Sequence, residues 1–475
     1  MMLAILPELL LLLVAGAVLF VDLMERGKHP RLLGWITVGG LAVTLVASLL
    51  YARPPEEGVL VWGGMLRHDW LAFVFQMMFI VGAAATALFA MDVEALGARG
   101  EFYILLLAST LGMSLMAAAA DLVMLYLAIE TTSIPMYILA GFLHADRKSN
   151  EAGFKYLLFG AMASAIMLYG FSLLYGFTNE TQLAALPAAI QQSGMSLGVL
   201  MGIVVLILAG FAFKTSIVPF HFWAPDVYQG APTPVTGFLS TASKAAGFAV
   251  LVRVFMGAFP SSAMPYWGAM LAAISVATMV LGNTLAIAQK DIKRMLAYSS
   301  IAHAGYILIG VVTLTQFGIT GVVFYLGVYL LSNLTAFAVV AMVEKADGST
   351  ALSDYAGLGK RAPWLALALM VALLSLSGTP PFGGFVGKAW LFGAAVKADL
   401  VWLAIVGVLN SVIAMYYYIV VLKVAYFDPP QREGKIAVST SYTVGLVVLA
   451  LAVLLVGVAF APWYGWAQQA AAALF

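Results

Sequence analysis

Residues 198–220 read GVLMGIVVLILAGFAFKTSIVPF, and residues 122–143 read LVMLYLAIETTSIPMYILAGFL. Each segment is apolar over about 20 residues, the length that an α-helix needs to cross a bilayer. Each also contains a charge, Lys214 in the first segment and Glu130 in the second. A charge near mid-bilayer costs roughly 2.5–3.5 kcal/mol on insertion scales and usually marks an ion or proton path. The two segments therefore predict a helical membrane protein with a polar chain in its interior.

The composition indicates the same class. Of the 475 residues, 63% are hydrophobic and 9% are charged, whereas soluble proteins carry about 25% charged residues. The net charge of +1 gives no reason to expect nucleic-acid binding. Because cysteine is absent, the chain cannot form disulfides, thiolate-bound iron–sulfur clusters or a cysteine nucleophile. The histidines lack ligand spacing, so we expect no metal site; they are His29, His68, His144, His221 and His303.

About fourteen segments are long enough to span a bilayer. They lie at roughly 3–23, 31–51, 70–91, 101–120, 122–143, 153–178, 197–221, 234–258, 266–289, 293–314, 317–344, 362–397, 399–426 and 439–462. The loops are short and polar, so we expect no inserted soluble domain. The first segment lacks a basic leader and a clear cleavage site, and we interpret it as a retained span. The sequence thus predicts an all-α polytopic membrane protein, solvated mainly by the lipid bilayer.

Lysine and arginine predict the orientation, because cytoplasmic loops carry an excess of both. Loops after odd-numbered helices contain Arg26, Lys28, Arg31, Arg99, Arg147, Lys148, Lys290, Lys293, Arg294, Lys345, Lys360, Arg361, Arg432 and Lys435. Loops after even-numbered helices contain little beyond Arg53, Arg67 and Lys397. We therefore expect the odd-numbered loops in the cytoplasm and both termini on the outer side. The run KDIKR at 290–294 is most simply interpreted as a positive-inside anchor.

Two of the predicted helices are interrupted. The seventh contains Pro219 five residues after Lys214, and the twelfth contains TPPFGG at 379–384 just before Lys388. Such breaks survive in a bilayer only where protein or water satisfies the freed backbone groups. Paired broken helices in the two halves of a chain are typical of transporters with inverted repeats and a site near the midplane.

Residue spacing also predicts a repeat. Glu130 lies 84 residues before Lys214, and His303 lies 85 residues before Lys388. This spacing pairs helices 5 and 7 with helices 10 and 12, and a five-helix period inverts the second unit. We expect two inverted five-helix repeats, helices 4–8 and 9–13. The predicted domains are an N-terminal three-helix segment at 1–100, a first half-channel at 101–258, a second at 259–426, and a C-terminal helix and tail at 427–475.

The buried charges predict proton translocation. The candidates are Glu130, Lys155, Lys214, Lys244, His303 and Lys388. A Glu–Lys pair at about 4 Å attracts by about 4 kcal/mol at an effective dielectric constant near 20. Moving one proton against about 150 mV costs about 3.5 kcal/mol. Making and breaking one such contact is therefore large enough to load and release a proton, whereas a fixed salt bridge is not suited to this.

Each candidate also has a structural interpretation that the sequence leaves open. Glu130 and Lys214 are alternatively a static interhelical ion pair. Lys244, in FLSTASKAAGFAV, alternatively stabilises the close packing of two helices. Lys388 alternatively neutralises carbonyls at the helix break, and His303 is alternatively a hydrogen-bonded core histidine. Lys155 alternatively reaches the cytoplasmic surface by snorkelling. A secondary pair of candidates, His221 and Asp226, borders a span and alternatively only caps it.

Three motifs carry a resemblance to a known family. They are HFWAPDVYQGAPTPVTGFLSTASKAAG at 221–247, GNTLAIAQKDIKRMLAYSSIAHAGY at 282–306 and TPPFGGFVGK at 379–388. These segments resemble the antiporter-like membrane subunits of bacterial NADH:quinone oxidoreductase (respiratory complex I), and the subunit N family in particular. Two details favour subunit N over its sisters: the loop PDVYQGAPT, and lysine rather than glutamate at position 388. The resemblance extends over essentially all fourteen predicted helices.

The resemblance implies roles for these residues. Glu130 and Lys214 would form the switchable pair of the first half-channel, with Lys155 as an auxiliary charge. Lys244 would connect the halves, His303 would relay protons, and Lys388 would end the second half-channel. The chain would be a non-redox, proton-translocating subunit in a bacterial inner membrane. Flavin, iron–sulfur clusters and quinone would belong to other subunits, and the partners would be neighbouring membrane subunits, including antiporter-like sisters.

Two other functions stay open at this stage. The first is a subunit of a multisubunit cation/proton antiporter that works without redox partners. The second is a structural assembly subunit whose charges form static pairs that align helices.

Overall fold

Helices make up almost the whole structure, a computed structural model that describes residues 2–25 and 30–475. Arg26, Lys28 and His29 lie outside the described residues. After a 3₁₀ turn at Met2–Ile5, the helices are α1 (Leu6–Glu25), α2 (Pro30–Tyr51), α3 (Trp70–Ala90), α4 (Glu94–Gly97), α5 (Gly100–Ala118), α6 (Leu122–Ala140), α7 (Arg147–Thr178), α8 (Leu186–Gln192), α9 (Leu197–Thr215), α10 (Trp223–Gly230), α11 (Thr233–Phe238), α12 (Lys244–Gly257), α13 (Met264–Ile287), α14 (Ile292–Val312), α15 (Gln316–Asp347), α16 (Leu358–Arg361), α17 (Pro363–Ser377), α18 (Gly383–Lys397), α19 (Val401–Phe427), α20 (Thr440–Val458) and α21 (Ala461–Ala472).

Within those described ranges, thirteen helices are long and apolar enough to cross a membrane. They correspond to every predicted span except the twelfth, and α11 and α12 together form the eighth. The twelfth consists of two half-helices, α17 and α18, each 15 residues long. The boundary between the fourth and fifth spans is also clear, since Asp121 accepts hydrogen bonds from the amides of Val123 and Met124 and begins α6. The predicted polytopic fold with about fourteen spans is confirmed.

Both predicted helix breaks are present. The first follows α9, where Ser216 adopts a left-handed conformation (φ 59°) and ends the helix before Pro219. The second follows α17, where Gly378 adopts the same region (φ 85°) ahead of Pro380 and Pro381. A left-handed residue directs the chain away from the helix axis, and proline then prevents the helix from continuing.

The eighth span differs from the prediction of a simple helix. Between α11 and α12, residues Leu239–Ser243 form a π-helical turn that ends directly before Lys244. Such a turn inserts an extra residue into the α-helical ladder and is found frequently at functional sites. The sequence LSTAS gave no signal for it, because a π-helical turn depends on what packs around it.

The helices form a buried centre and a lipid-facing periphery. In the span Thr233–Gly257 every residue of the most apolar window is buried, and α14 and α15 reach 94%. The corresponding share is only 22% for α1 and 28% for α20. The central helices therefore carry their polar side chains away from lipid, surrounded by protein on all sides.

Smaller elements lie at the ends of the molecule. An antiparallel hairpin, β1 (Val59–Val61) and β2 (Leu66–His68), pairs Leu60 with Arg67 and was not predicted. Beside it, the buried Arg253 donates two hydrogen bonds, of 2.9 and 2.8 Å, to the carboxylate of Asp69. This bidentate ion pair ties α12 to the beginning of α3.

Candidate functional site

Lys214 lies in the last turn of α9, directly before the first helix break. Its side chain is only 6% exposed. The ammonium donates a hydrogen bond of 2.8 Å to the hydroxyl of Ser133 on α6. Close packing holds it there, since a Cβ at Gly247 of α12 would lie 3.2 Å from Lys214 Cγ. The lysine thus lies between α6 and the helix that carries Lys244.

Glu130 lies one helical turn before Ser133 on α6, so both residues share a face. Its carboxylate accepts a short hydrogen bond from the hydroxyl of Ser164 on α7. Among the described residues no salt bridge joins Glu130 to Lys214, and each charge instead has a serine hydroxyl as its partner. Lys214 therefore contacts α6 one turn away from Glu130, and the two charges do not form a direct ion pair.

Lys155 lies apart from this pair. Its side chain is 32% exposed, and its ammonium forms ion pairs of 2.6 Å with both Glu151 and Asp226. Arg294 donates to the same Asp226 carboxylate at 2.6 Å. Partial burial raises the pKa of Asp226, but the hydrogen bonds from Lys155 and Arg294 outweigh it and hold that pKa below its ordinary value. The cluster joins α7, α10 and α14 at the rim of the molecule.

Lys244 begins α12 and is fully surrounded by protein, with 1% exposure. Its ammonium donates to Ser300 on α14, at 2.7 Å to the backbone carbonyl and 2.5 Å to the hydroxyl. The Ser300 hydroxyl also accepts from Tyr329 of α15 at 2.8 Å. Lys244 is therefore connected to hydroxyl groups on two other central helices, without a carboxylate among these contacts.

His303 lies one turn beyond Ser300 on α14 and has no exposed surface. One ring nitrogen is 2.7 Å from the hydroxyl of Tyr325, and the other is 3.0 Å from that of Tyr418. Tyr418 also bonds Ser299, the neighbour of Ser300. An imidazole between two hydroxyl groups is satisfied as a core residue, and the same geometry suits a proton relay.

Lys388 lies on α18, after the second helix break, and is 4% exposed. Its ammonium donates to the carbonyls of Leu376 and Ser377, each at 3.0 Å, and to the hydroxyl of Ser411 at 2.8 Å. The ring of Tyr306 faces the ammonium at 4.8 Å. The two carbonyls belong to the last turn of α17, so the lysine lies at the negative end of that helix.

The structure brings the predicted residues into two polar groups. The first contains Glu130 and Lys214, and the second contains Lys244 and His303 around Ser299 and Ser300. Lys388 meets the second group through Tyr306, whose ring is 5.6 Å from that of His303. Lys155 lies outside both groups.

Sequence reasoning missed the uncharged members of these groups. They are Ser133, Ser164, Ser299, Ser300, Tyr306, Tyr325, Tyr329, Ser411 and Tyr418. Tyr325 and Tyr329 are four residues apart and therefore lie on one face of α15, which is a usable signal. A buried carboxylate in the first span was also missed: Glu8 accepts a 2.6 Å hydrogen bond from the Gln76 amide.

Fold and site together define a class. Two broken helices and three buried lysines with polar contacts are typical of an antiporter-like membrane subunit. Residues 119–414 match the family described as the transmembrane region of NADH:quinone oxidoreductase and Mrp antiporters.

Relatives of similar length specify the family further. The NADH-quinone oxidoreductase subunit N of Moorella thermoacetica is 42% identical over 471 residues, which cover 98% of each chain. The protein with the same name from Anaeromyxobacter sp. is 39% identical over 492 residues, covering 97% of this chain and 95% of its own. The chain therefore belongs to the NADH-quinone oxidoreductase subunit N family, and it is a multi-span membrane protein of a respiratory complex.

Solved structures agree with this assignment. A chain of respiratory complex I from Thermus thermophilus with bound aureothin has a TM-score of 0.82 and 32% identity, with 97% of this chain and 98% of that chain covered. A chain of the Mrp complex from Dietzia sp. has a TM-score of 0.87, with 100% and 98% covered. Its identity is 22%, so that likeness concerns the fold alone.

Proposed function

We propose that this chain is the proton-translocating subunit of an NADH:quinone oxidoreductase, and that it couples quinone reduction in other subunits to proton transfer across the membrane. The relatives named subunit N support this proposal. The resemblance to complex I over nearly the whole chain supports it as well. The antiporter alternative rests on the shared fold, and the identities favour the oxidoreductase.

The observation that carries the proposal is the set of acceptors around three buried lysines. Lys214, Lys244 and Lys388 donate to serine hydroxyls and backbone carbonyls, and none forms an ion pair in the part of the chain that is described. A buried ammonium that lacks a carboxylate contact is costly. Its charge state therefore responds strongly to charges that change nearby, which is the property a proton carrier needs.

Each group then has a role. Glu130 and Lys214 form the switchable pair of the first half-channel, and the Ser133 hydroxyl is the contact that Lys214 gives up when it pairs with Glu130. Lys244 connects the two halves through Ser300, and His303 relays protons between tyrosine hydroxyls. Lys388 ends the second half-channel.

Lys155 has a supporting role in this scheme. Its ion pairs with Glu151 and Asp226 place it at the rim, so we assign it an auxiliary electrostatic effect on the first half-channel. The field of an exposed charge is screened by water and salt. This role is therefore smaller than that of the buried residues.

The wider arrangement follows from the same proposal. We infer inverted repeats at 101–258 and 259–426, flanked by segments 1–100 and 427–475, and both termini on the periplasmic side of the inner membrane. Redox cofactors then belong to other subunits. The chain has no cysteine, and within residues 2–25 and 30–475 no group of three or more His, Asp or Glu could hold a metal ion. Neighbouring membrane subunits, antiporter-like sisters among them, are the partners.

The test compares wild type, Lys214→Ala and the control Lys360→Ala in the intact complex in sealed vesicles. Lys360 is an exposed lysine on a short helix. Quinone reductase rate, proton uptake and assembly on native gels are recorded together. Normal assembly with reductase and pumping both lowered in Lys214→Ala alone supports the coupled proton path. Unchanged activity in an assembled complex contradicts it, and loss of assembly favours the structural alternative.

A further inference from the structure

A cavity of about 870 Å³ with charged side chains in its walls lies on the face that carries the basic loops. Its walls come from the connections after α3, α6, α10, α13 and α15. Among the lining residues are Asp92, Glu94, Asp146, Lys148 and Glu344. One water occupies roughly 30 Å³ in the liquid. A cavity of this size with charged walls therefore fills with water, and we call it the basin.

Lys293 lies at the base of the basin. The run KDIKR is interpreted above as a positive-inside anchor, and within it Lys293 is only 2% exposed. Its ammonium donates to the carbonyl of Ala231 at 2.8 Å and lies 3.6 Å from a carboxylate oxygen of Glu344. The other carboxylate oxygen of Glu344 accepts from the hydroxyl of Thr233. Ala231 and Thr233 flank the start of α11, so the Lys293–Glu344 pair holds the beginning of the span that carries Lys244.

About two turns of α14 separate the base of the basin from the contact of Lys244. Ser300, the partner of Lys244, lies two turns beyond Lys293 on α14, or about 10 Å at 1.5 Å per residue. Tyr228 of α10 lies beside Ser300, with its hydroxyl at 3.5 Å from the Ser300 hydroxyl. At that distance the contact is weak and needs a small approach to conduct a proton.

The Lys293–Glu344 pair is suited to opening. The side chain of Glu344 is 36% exposed, whereas that of Lys293 is 2% exposed. An ion pair with one partner in water is weak, because water competes for the carboxylate. When Glu344 moves toward the basin, water reaches the space beside Lys293.

We propose that the basin is an aqueous mouth through which Lys244 exchanges protons with this side of the membrane, and that the Lys293–Glu344 pair is its gate. Lys293 is the first proton-carrying group below the water, and a transfer over about 10 Å along α14 then reaches Ser300, which contacts Tyr228 and Lys244. The inference rests on the proposed function, to which it adds a gated access route.

Access can be measured with engineered cysteines, since the chain has none of its own. Ala297→Cys lies on α14 between Lys293 and Ser300, and Ser349→Cys lies on the basin wall. Inside-out vesicles are treated with methanethiosulfonate ethylammonium, and labelling is followed by the mass of this subunit. We expect rapid labelling of Ser349→Cys, and about fivefold faster labelling of Ala297→Cys when Glu344→Gln is added.

The control for this experiment is Glu433→Gln, which replaces an exposed glutamate outside the basin. It should leave the labelling rate of Ala297→Cys unchanged. If Ala297→Cys is labelled at equal rates with Glu344→Gln and with Glu433→Gln, the Lys293–Glu344 pair is not a gate. If Ser349→Cys is labelled only from the opposite face, the basin is not an aqueous entrance on this side of the membrane.

Proton transfer is measured with Lys293→Met, Lys293→Arg and the control Lys360→Met. We expect about fivefold slower pumping in Lys293→Met, with recovery in Lys293→Arg and no change in the control. Wild-type pumping in an assembled Lys293→Met complex would overturn the role of Lys293. If the Lys293→Met complex does not assemble, the labelling rates of Ala297→Cys with and without Glu344→Gln decide whether the pair is a gate. Suppose that Lys214→Ala pumps normally and that Glu344→Gln still speeds the labelling of Ala297→Cys. The proposed function would then be contradicted, but the proposed access route would be supported.

Discussion

The two broken helices hold their lysines in different ways. In the first, Lys214 precedes the break and donates to a single hydroxyl, that of Ser133, with a carboxylate one turn away. In the second, Lys388 follows the break and donates to two carbonyls and the Ser411 hydroxyl. The first arrangement suits a group that changes partner. The second suits a group that stays in place, because the carbonyls at a helix end are fixed acceptors.

The largest expected effect is at the second break, where packing is tightest. A Cβ at Gly384 would lie 1.8 Å from the backbone oxygen of Ser375. Since backbone cannot move aside easily, Gly384→Ala should cost about 3 kcal/mol or more and reduce the amount of assembled complex. Gly393→Ala on the same helix is the control, as nothing lies within 4 Å of its Cβ. Equal assembly of the two variants on native gels would show that the second break is not rigid.

The residues that end the two helices before the breaks provide the next test. Both are left-handed, but the first break has Ser216 and the second has Gly378. Gly378→Ser should cost about 1–2 kcal/mol in strain, and its Cβ would meet Lys388 Cδ at 2.9 Å. Ser216→Gly relieves the same strain and should be neutral or stabilising. The heat-inactivation midpoint of the complex is measured for Gly378→Ser and Ser216→Gly. A midpoint of Ser216→Gly below that of wild type would contradict the expected difference between the two breaks.

Removing one hydroxyl at each lysine tests how firmly it is held. Ser133→Ala takes away the acceptor of Lys214 and should cost about 1–3 kcal/mol, because a buried charged donor loses its partner. Pumping should then fall several-fold. Ser411→Ala leaves Lys388 with two carbonyls, so we expect less than a twofold change. The rate of proton uptake, recorded together with the quinone reductase rate, measures both, with Ser133→Thr as the control that retains the hydroxyl. A larger effect of Ser411→Ala would reverse the comparison.

The smallest effect is expected at Lys155. Exposed ion pairs contribute about 0–1 kcal/mol, so Lys155→Met should change reductase and pumping by less than twofold. Lys214→Ala serves as the reference in the same vesicles. A loss as large as that of Lys214→Ala would mean that Lys155 belongs to the buried path despite its exposure.

Features that depend on the local chain could be predicted from the sequence, and contacts between distant helices could not. The spans and both breaks follow from apolar length and from Pro219, Pro380 and Pro381. The acceptors of the lysines come from other helices, as Ser133 is 81 residues from Lys214, and a single sequence does not show such pairs. The burial of Lys293 was missed for the same reason. Its neighbours in KDIKR are typical of a surface, but Ala231 and Glu344 enclose it.

The π-helical turn at Leu239–Ser243 affects the direction in which the Lys244 side chain faces. One residue of an α-helix corresponds to about 100° of rotation. The extra residue in the turn therefore rotates every side chain after it by about that angle relative to those before it. Lys244 faces Ser300 because of this phase shift. If the turn tightened to an ordinary helix, Lys244 would rotate out of contact with Ser300 without any movement of α14, so one local backbone rearrangement is enough to make or break this contact.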